Sequence, residues 1–429
     1  MMQKTKWQNW KTYLAVFYVS FVMLFFQYSN IATADCAKAY PDISQTMISL
    51  AFSIPALISL PVQLIVGGLS TRVSKRTICM TGMTVFAIAN GLAWLVAGSF
   101  GWFMFTRILA GIGLGIIQPF PPSLPVEFYW NTGKVSKYIG FQNFIQSFGG
   151  VIASYLIGVL VEALSWRWAF STAIFCVIGI WAFSYLPKKD DWPAPPPQEQ
   201  SAKDSGRKTK AKLPGIFWVF AVLVILYEMC YTCLNQGLTF QLEQAGLGSS
   251  ALSGTMFSVL CVCSLVTSLI YAWFEKIFRK WAIPLSFLIF SAGMIVIAYA
   301  QSLTLFYIGI ILVGIAQGWY MPATFGSMNR LAGAASTLAS SILGVCMGIG
   351  LFAISVVLLP LTKALTGGGL GYDAMHVTSY ILAVLVVCYF IATKFINQRQ
   401  LDLAGGEISP EPDANPNGAE ENSASKDPE

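Results

Sequence analysis

Apolar residues in this chain gather into twelve long runs separated by short polar or basic stretches. The runs fall at roughly 12–34, 46–69, 78–98, 102–126, 138–162 and 167–186, then at 214–238, 251–273, 282–300, 303–326, 335–361 and 377–397. Each is about the 20 residues that a helix needs to cross a hydrocarbon core of about 30 Å. Lipid offers no water to pair backbone amides, so each run must satisfy its own backbone as a helix. The pattern predicts an all-α integral membrane protein of about twelve transmembrane helices, arranged as six plus six.

The polar gap between the sets predicts the domain boundaries. Residues 187–213 begin Pro187-Lys188-Lys189-Asp190-Asp191-Trp192, include Pro195-Pro196-Pro197 and are too polar to span or to pack a core, so they read as a flexible linker. An N-terminal bundle at 1–186 and a C-terminal bundle at 214–398 lie on either side. The acidic stretch 399–429, rich in Pro, Gly, Asn and Ser, reads as a disordered tail. Near the N-terminus, Lys4, Lys6 and Lys11 precede an apolar run that closes on Ala32-Thr33-Ala34, a small-x-small pattern. The run exceeds the roughly 7–15 residues of a signal h-region and many spans follow, which predicts a retained first helix.

With 55% apolar and 11% charged residues, the chain is excluded from the soluble class. Its net charge of +6 is explained by topology rather than by an acidic partner or nucleic acid. With the N-terminus inside, 22 Lys and Arg fall on the cytoplasmic side against 3 outside, so both termini are expected in the cytoplasm and the protein in the plasma membrane. Eight of the nine cysteines lie in or beside spans, where a thiol behaves as a small hydrophobe. Cys230 and Cys233 have C-x-x-C spacing without a second pair, so no disulfide framework, metal site or cofactor is expected. The sole His376 sits at an outer loop edge, and H-E-x-x-H, G-x-S-x-G and G-x-x-x-x-G-K-[ST] are absent. A membrane enzyme and an ATP-driven pump are therefore disfavoured.

The two halves echo each other, as expected of a transporter built from repeats. Ser70-Thr71-Arg72-Val73-Ser74-Lys75-Arg76 aligns with Phe274-Glu275-Lys276-Ile277-Phe278-Arg279-Lys280 at an offset of 204, and Gly111, Gly115 and Pro119 align with Gly314, Gly318 and Pro322 at 203.

Three motifs carry a family resemblance. The loop from Gly67 and Gly68 to Arg76 resembles the G-x-x-x-D-R-x-G-R-R signature of the major facilitator superfamily, with Arg72, Lys75 and Arg76 at its basic positions. Thr71 stands where that signature has Asp, and Ser74 where it has Gly. Arg107, Gly111, Gly113 and Gly115 form an R-x-x-x-G-x-G-x-G run similar to the family's fourth helix, and Trp166-Arg167-Trp168-Ala169-Phe170 resembles the entry to its sixth. The resemblance implies two six-helix bundles around a central cavity lined mainly by spans 1, 4, 7 and 10, working by alternating access. It also implies a gating loop at Gly68, Thr71, Arg72, Lys75 and Arg76, with Glu275 as the remaining acid of this kind. The family's antiporters tend to carry a Gly-Pro element in span 5, absent here around Gly149-Gly150, which favours a symporter or uniporter.

Two charges lie inside predicted spans. A charged residue at a span centre costs roughly 2.5–3.5 kcal/mol on insertion scales, so it ordinarily has a partner or a function. Arg107 in the fourth span either reaches the surface with its long side chain or, as the resemblance implies, handles substrate or protons, in which case its fixed positive charge would hold an organic anion. Glu228 in the seventh shares a stripe with Tyr231, Thr232 and Asn235 at helical spacing and is expected to carry a coupling proton, alone or paired with Arg107, or equally to make a purely structural hydrogen bond. Gln27, Asn30, Gln118, Gln317 and Tyr320 are further polar candidates. Gly150, Ser154 and Gly158, and likewise Gly344 and Gly348, predict close helix contacts between bundles, and Pro119, Pro121, Pro122 and Pro125 predict a break in span 4. The expected protein is a monomeric secondary transporter of a small organic solute, an anion favoured, coupled to protons; a hydrophobic-drug exporter is the alternative.

Overall fold

The computed structural model describes residues 10–69, 73–95, 98–129, 135–187, 213–332 and 336–396, all helix or short connection, with no strand among them. Among the described residues, twelve helices are long and apolar enough to cross a membrane. Spans 1 to 6 are Trp10–Ala39, Gln45–Val66, Lys75–Leu95, Phe100–Ile117, Gly140–Ala163 and Trp166–Phe183. Spans 7 to 12 are Gly215–Gln244, Ser250–Leu269, Trp273–Ala298, Leu303–Ala332, Ala339–Thr366 and Tyr372–Lys394. Apart from Pro187 and Leu213, the linker and tail segments lie outside the described residues, as do Thr71 and Arg72.

Local sequence explains where the helices start and bend. Ser99 caps span 4, its Oγ accepting from the Trp102 amide at 3.3 Å. The span stops at Ile117, and a short turn at Gln118 and Pro119 precedes a new helix, Phe120–Tyr129, which is the break its prolines predict. Span 1 tightens into a 3-10 turn at Ser29–Ala32, and span 11 widens into a π turn at Ile354–Leu358.

The repeat is visible in the packing. A Cβ built on Gly115 would stand 2.6 Å from the Ser59 carbonyl oxygen of span 2, and one on Gly318 would stand 2.6 Å from the Ser264 carbonyl oxygen of span 8. Span 10 thus rests on span 8 as span 4 rests on span 2, through glycines at matching places. Both contacts need a residue without a side chain, because the opposing atoms are backbone.

Chain direction defines two sides: a terminal side, where span 1 begins and span 12 ends, and a far side opposite. One apolar core runs through both bundles, joining Tyr28, Phe52, Phe103 and Phe170 in the far half of the N-terminal bundle to Phe220, Phe257 and Phe290 of the C-terminal bundle. On the terminal side the N-terminal bundle has a core of its own around Phe17, Val66, Phe86, Phe128 and Phe183. Polar contacts bridge the bundles in the far half. Lys38 binds Glu243 at 2.6 Å, Thr239 donates to the Ile31 carbonyl at 3.2 Å and Gln45 accepts from the Leu370 amide at 2.8 Å. Glu162 accepts from the Ala251 amide at 2.8 Å, and Ser250 donates to Asp35. Midway, Ser154 meets Ser258 at 2.8 Å and Gly158 lies against Gly254, the close span 5 contact expected from the small residues. Gly348 likewise lies against Leu60 of span 2, whereas a Cβ on Gly344 would meet nothing within 4 Å, so the close contact expected there is absent.

Candidate functional site

A cavity of about 340 Å³ lies between the bundles, walled by spans 1, 2, 5, 7, 10 and 11 and the break in span 4. Its apolar wall includes Met23, Phe26, Phe52, Leu60, Met321, Met347 and Leu351. Its polar lining is dominated by carboxamides: Gln27, Asn30, Gln118, Gln146, Gln236 and Gln317. Glu228 is the one charged side chain among the described residues that line it. A cavity with an apolar wall and a few convergent polar groups suits a small organic solute.

Span 7 supplies the central stripe. Glu228, Tyr231, Thr232 and Gln236 recur at helical spacing and all face the cavity. Span 11 backs this stripe closely, since a Cβ on Gly350 would stand 2.5 Å from the Cβ of Glu228. Tyr231 donates to Gln317 Oε1 at 3.0 Å, joining spans 7 and 10 across the wall. Thr232 returns its hydroxyl to the Glu228 carbonyl at 2.7 Å. Glu228 itself is 3% exposed, and its Oε1 has no hydrogen-bond partner among the described residues. Buried carboxyl oxygens are ordinarily paired, so an orphan facing a cavity points to a transient partner.

The structure places the predicted residues unevenly. Gln27, Asn30, Gln118, Glu228, Tyr231 and Gln317 meet at the cavity. Arg107 does not join them. It is 1% exposed, with its guanidinium carbon 4.1 Å above the Phe170 ring and 5.4 Å from Phe103, and its Nη2 donates to Asn90 Oδ1 at 3.3 Å. The expected pairing of Arg107 with Glu228 is therefore absent, because two aromatic faces and an amide accommodate the cation inside the N-terminal bundle. Asn235 turns back to the Tyr231 carbonyl of its own helix at 3.0 Å, and Tyr320 stands behind the wall, bonded to Tyr389 at 2.5 Å and stacked on Tyr227.

On the terminal side, Glu275 pairs with Arg330 at 2.8 Å and Lys75 with Glu127 at 2.6 Å, each inside its own bundle. Gly68 lies in the last turn of the helix Gln45–Leu69 and Arg76 in the first turn of Lys75–Leu95. Sequence reasoning missed Gln146 and Gln236. Both had a signal: Gln146 is one turn before Gly150 on the contact face of span 5, and Gln236 is one turn beyond Thr232.

A sequence model described as Major Facilitator Superfamily matches residues 14–262, more than half of the chain. The chain belongs to that superfamily. As a member it is an integral multi-pass membrane transporter of small solutes. Among curated proteins it is similar to the 3-(3-hydroxy-phenyl)propionate transporter of Escherichia coli strain K12, 24% identical over 348 residues covering 75% of this chain and 80% of that one. The multidrug transporter protein MdtP of Bacillus subtilis strain 168 is 29% identical over 107 residues, 25% of this chain and 19% of that one. Among solved structures, an inward-facing, unoccupied bacterial homologue of the human lysosomal transporter Spinster superposes with a TM-score of 0.68 at 15% identity, covering 90% of this chain and 98% of that one. That likeness carries the superfamily fold.

Proposed function

We propose that this transporter moves a small organic anion together with a proton, and that Glu228 is the coupling group. The observation that carries the reading is an unpartnered buried carboxyl that is the one charged lining group among the described residues of the central cavity. An ionised carboxylate and an anionic solute in one low-dielectric chamber repel each other, and no lining cation among the described residues offsets them. Once protonated, Glu228 loses that repulsion and gains an O–H that donates to the solute's carboxylate. Anion and proton then enter and leave as a pair. Coupling in this scheme does not need Arg107 in the cavity.

The bundles bridged in the far half and the cavity reaching Gln118, Gln146 and Gln317 support a conformation open toward the terminal side. Charge asymmetry supports the cytoplasm as that side, with both termini in it. Alternating access would break the far-side contacts of Lys38, Asp35 and Glu162 and close the terminal side through the segment with Thr71 and Arg72 and the helix carrying Glu275. The relative named for an aryl propionate supports an aromatic carboxylate as cargo, and the carboxamides and aromatic wall suit one. Purified protein in liposomes tests this: an inwardly directed proton gradient should drive 3-(3-hydroxyphenyl)propionate above its equilibrium level. Uptake of hydrophobic cations with no response to carboxylates would instead favour the drug-exporter reading suggested by the Met and Phe lining.

A further inference from the structure

At the deep end of the cavity one amide is engaged at a single end. Gln236 lines the cavity although it is 1% exposed. Its Oε1 accepts from Ser49 Oγ at 2.5 Å, and Ser49 and Ser53 of span 2 each meet Ser355 Oγ at 2.8 Å. Ser355 belongs to the π turn of span 11, a wider turn of the kind that recurs at functional sites. Gln236 is therefore anchored to a serine seam joining spans 2 and 11. Its Nε2 has no hydrogen-bond partner among the described residues.

Two turns away along span 7, past Thr232, stands Glu228, whose Oε1 is likewise unpartnered. Eight residues at a rise of 1.5 Å set the two positions about 12 Å apart along the helix. The stripe thus ends in a carboxyl that, as the neutral acid, donates to an anion, and begins at the deep end with an amide N–H that also donates. Between them the aromatic and methionine lining leaves room for an apolar body. Two separated donors with an apolar space between them describe an elongated solute with an acceptor at each end.

We propose that Gln236 is a solute-binding residue that selects for a second oxygen. Its Nε2 donates to a hydroxyl or carbonyl oxygen at the end of the solute remote from the carboxylate. Ser49 is a positioning residue: by donating to Oε1 it holds the amide with its nitrogen toward the cavity. The cargo class is therefore a bipolar aryl carboxylate rather than a simple fatty or aromatic acid. The inference rests on the reading of this cavity as the anion site.

A site built to hydrogen-bond a polar group discriminates against the analogue that lacks it, because its own donor is then left unmade. The test compares equilibrium binding of 3-(3-hydroxyphenyl)propionate and 3-phenylpropionate to the purified full chain. The native protein should prefer the hydroxylated acid by about tenfold or more. Gln236→Leu should bring the ratio near one by weakening binding of the hydroxylated acid, and a native-like thermal unfolding transition in detergent shows that the variant is folded. Ser49→Ala should lower the same ratio, and Ser49→Thr should restore it. An unchanged ratio in Gln236→Leu, or no preference in the native protein, overturns the inference and leaves the anion reading standing. Failure of the native protein to bind either acid overturns both.

Discussion

Arg107 and Glu228 each bury a charge within a span, and the surrounding protein houses them in opposite ways. Each leaves one buried atom without a hydrogen-bond partner among the described residues, Arg107 its Nε and Glu228 its Oε1, but Arg107 is enclosed by Phe170, Phe103 and Asn90 within the N-terminal bundle, whereas Glu228 lines the cavity. The difference follows from the sign of the charge. The face of an aromatic ring attracts a cation and repels an anion, so phenylalanines can enclose a guanidinium but offer nothing to a carboxylate. In an aromatic-rich interior a buried cation can be walled off, while a buried acid needs a proton, a donor or a solute. The insertion cost that marks both residues in the sequence therefore has two different meanings.

The largest effect that would break this contrast is at the acid. Glu228→Gln should abolish accumulation driven by a pH gradient in proteoliposomes while solute exchange persists; accumulation at the native level would remove its coupling role. Arg107→Gln is next. Leaving Asn90 and the two rings without their cation should lower stability by about 2–3 kcal/mol, read by thermal unfolding in detergent. Solute affinity should stay within about twofold. A complete loss of binding without loss of stability would return Arg107 to the solute path.

A smaller effect sharpens the aromatic side of the comparison. Phe170→Leu should cost about 1–2 kcal/mol, with most of that cost disappearing in an Arg107→Met background, so that a double-mutant cycle isolates the cation–ring contact. The smallest effect is expected at the partly exposed pair of Arg330 and Glu275. Arg330→Gln should change stability by about 1 kcal/mol or less.

Much of the fold was legible because crossing lipid fixes the length and apolarity of each helix so narrowly. The break after Ile117 followed from prolines, and the matched contacts of Gly115 and Gly318 followed from a repeat at nearly constant offset. The site was only partly legible. Gln27, Asn30, Gln118, Tyr231 and Gln317 line the cavity as their polarity suggests, but polarity alone does not say which way a helix is turned. Asn235 bonds its own backbone and Tyr320 pairs with Tyr389, so both satisfy themselves inside protein. Arg107 is the clearest case: Phe103 is one turn away on its own helix, but Asn90 and Phe170 come from spans 3 and 6, and their meeting over the guanidinium is a product of tertiary packing. Gln236 escaped notice because its use depends on Ser49 and Ser355, far away in sequence.

The central claim is that an anion binds only when Glu228 is protonated, and the pH dependence of binding tests it most directly. 3-(3-Hydroxyphenyl)propionate has a carboxyl of roughly pKa 4–5 and a phenol of roughly pKa 10, so its charge is nearly constant between about pH 6 and 8.5, and a pH effect there that Glu228→Gln removes belongs to Glu228. Because binding takes up one proton, affinity is full while Glu228 is protonated and falls as pH rises through its titration, by up to about tenfold per pH unit. The dissociation constant of 3-(3-hydroxyphenyl)propionate should show that decline in the native protein and a flat profile in Glu228→Gln. Parallel profiles in the two proteins would contradict the account.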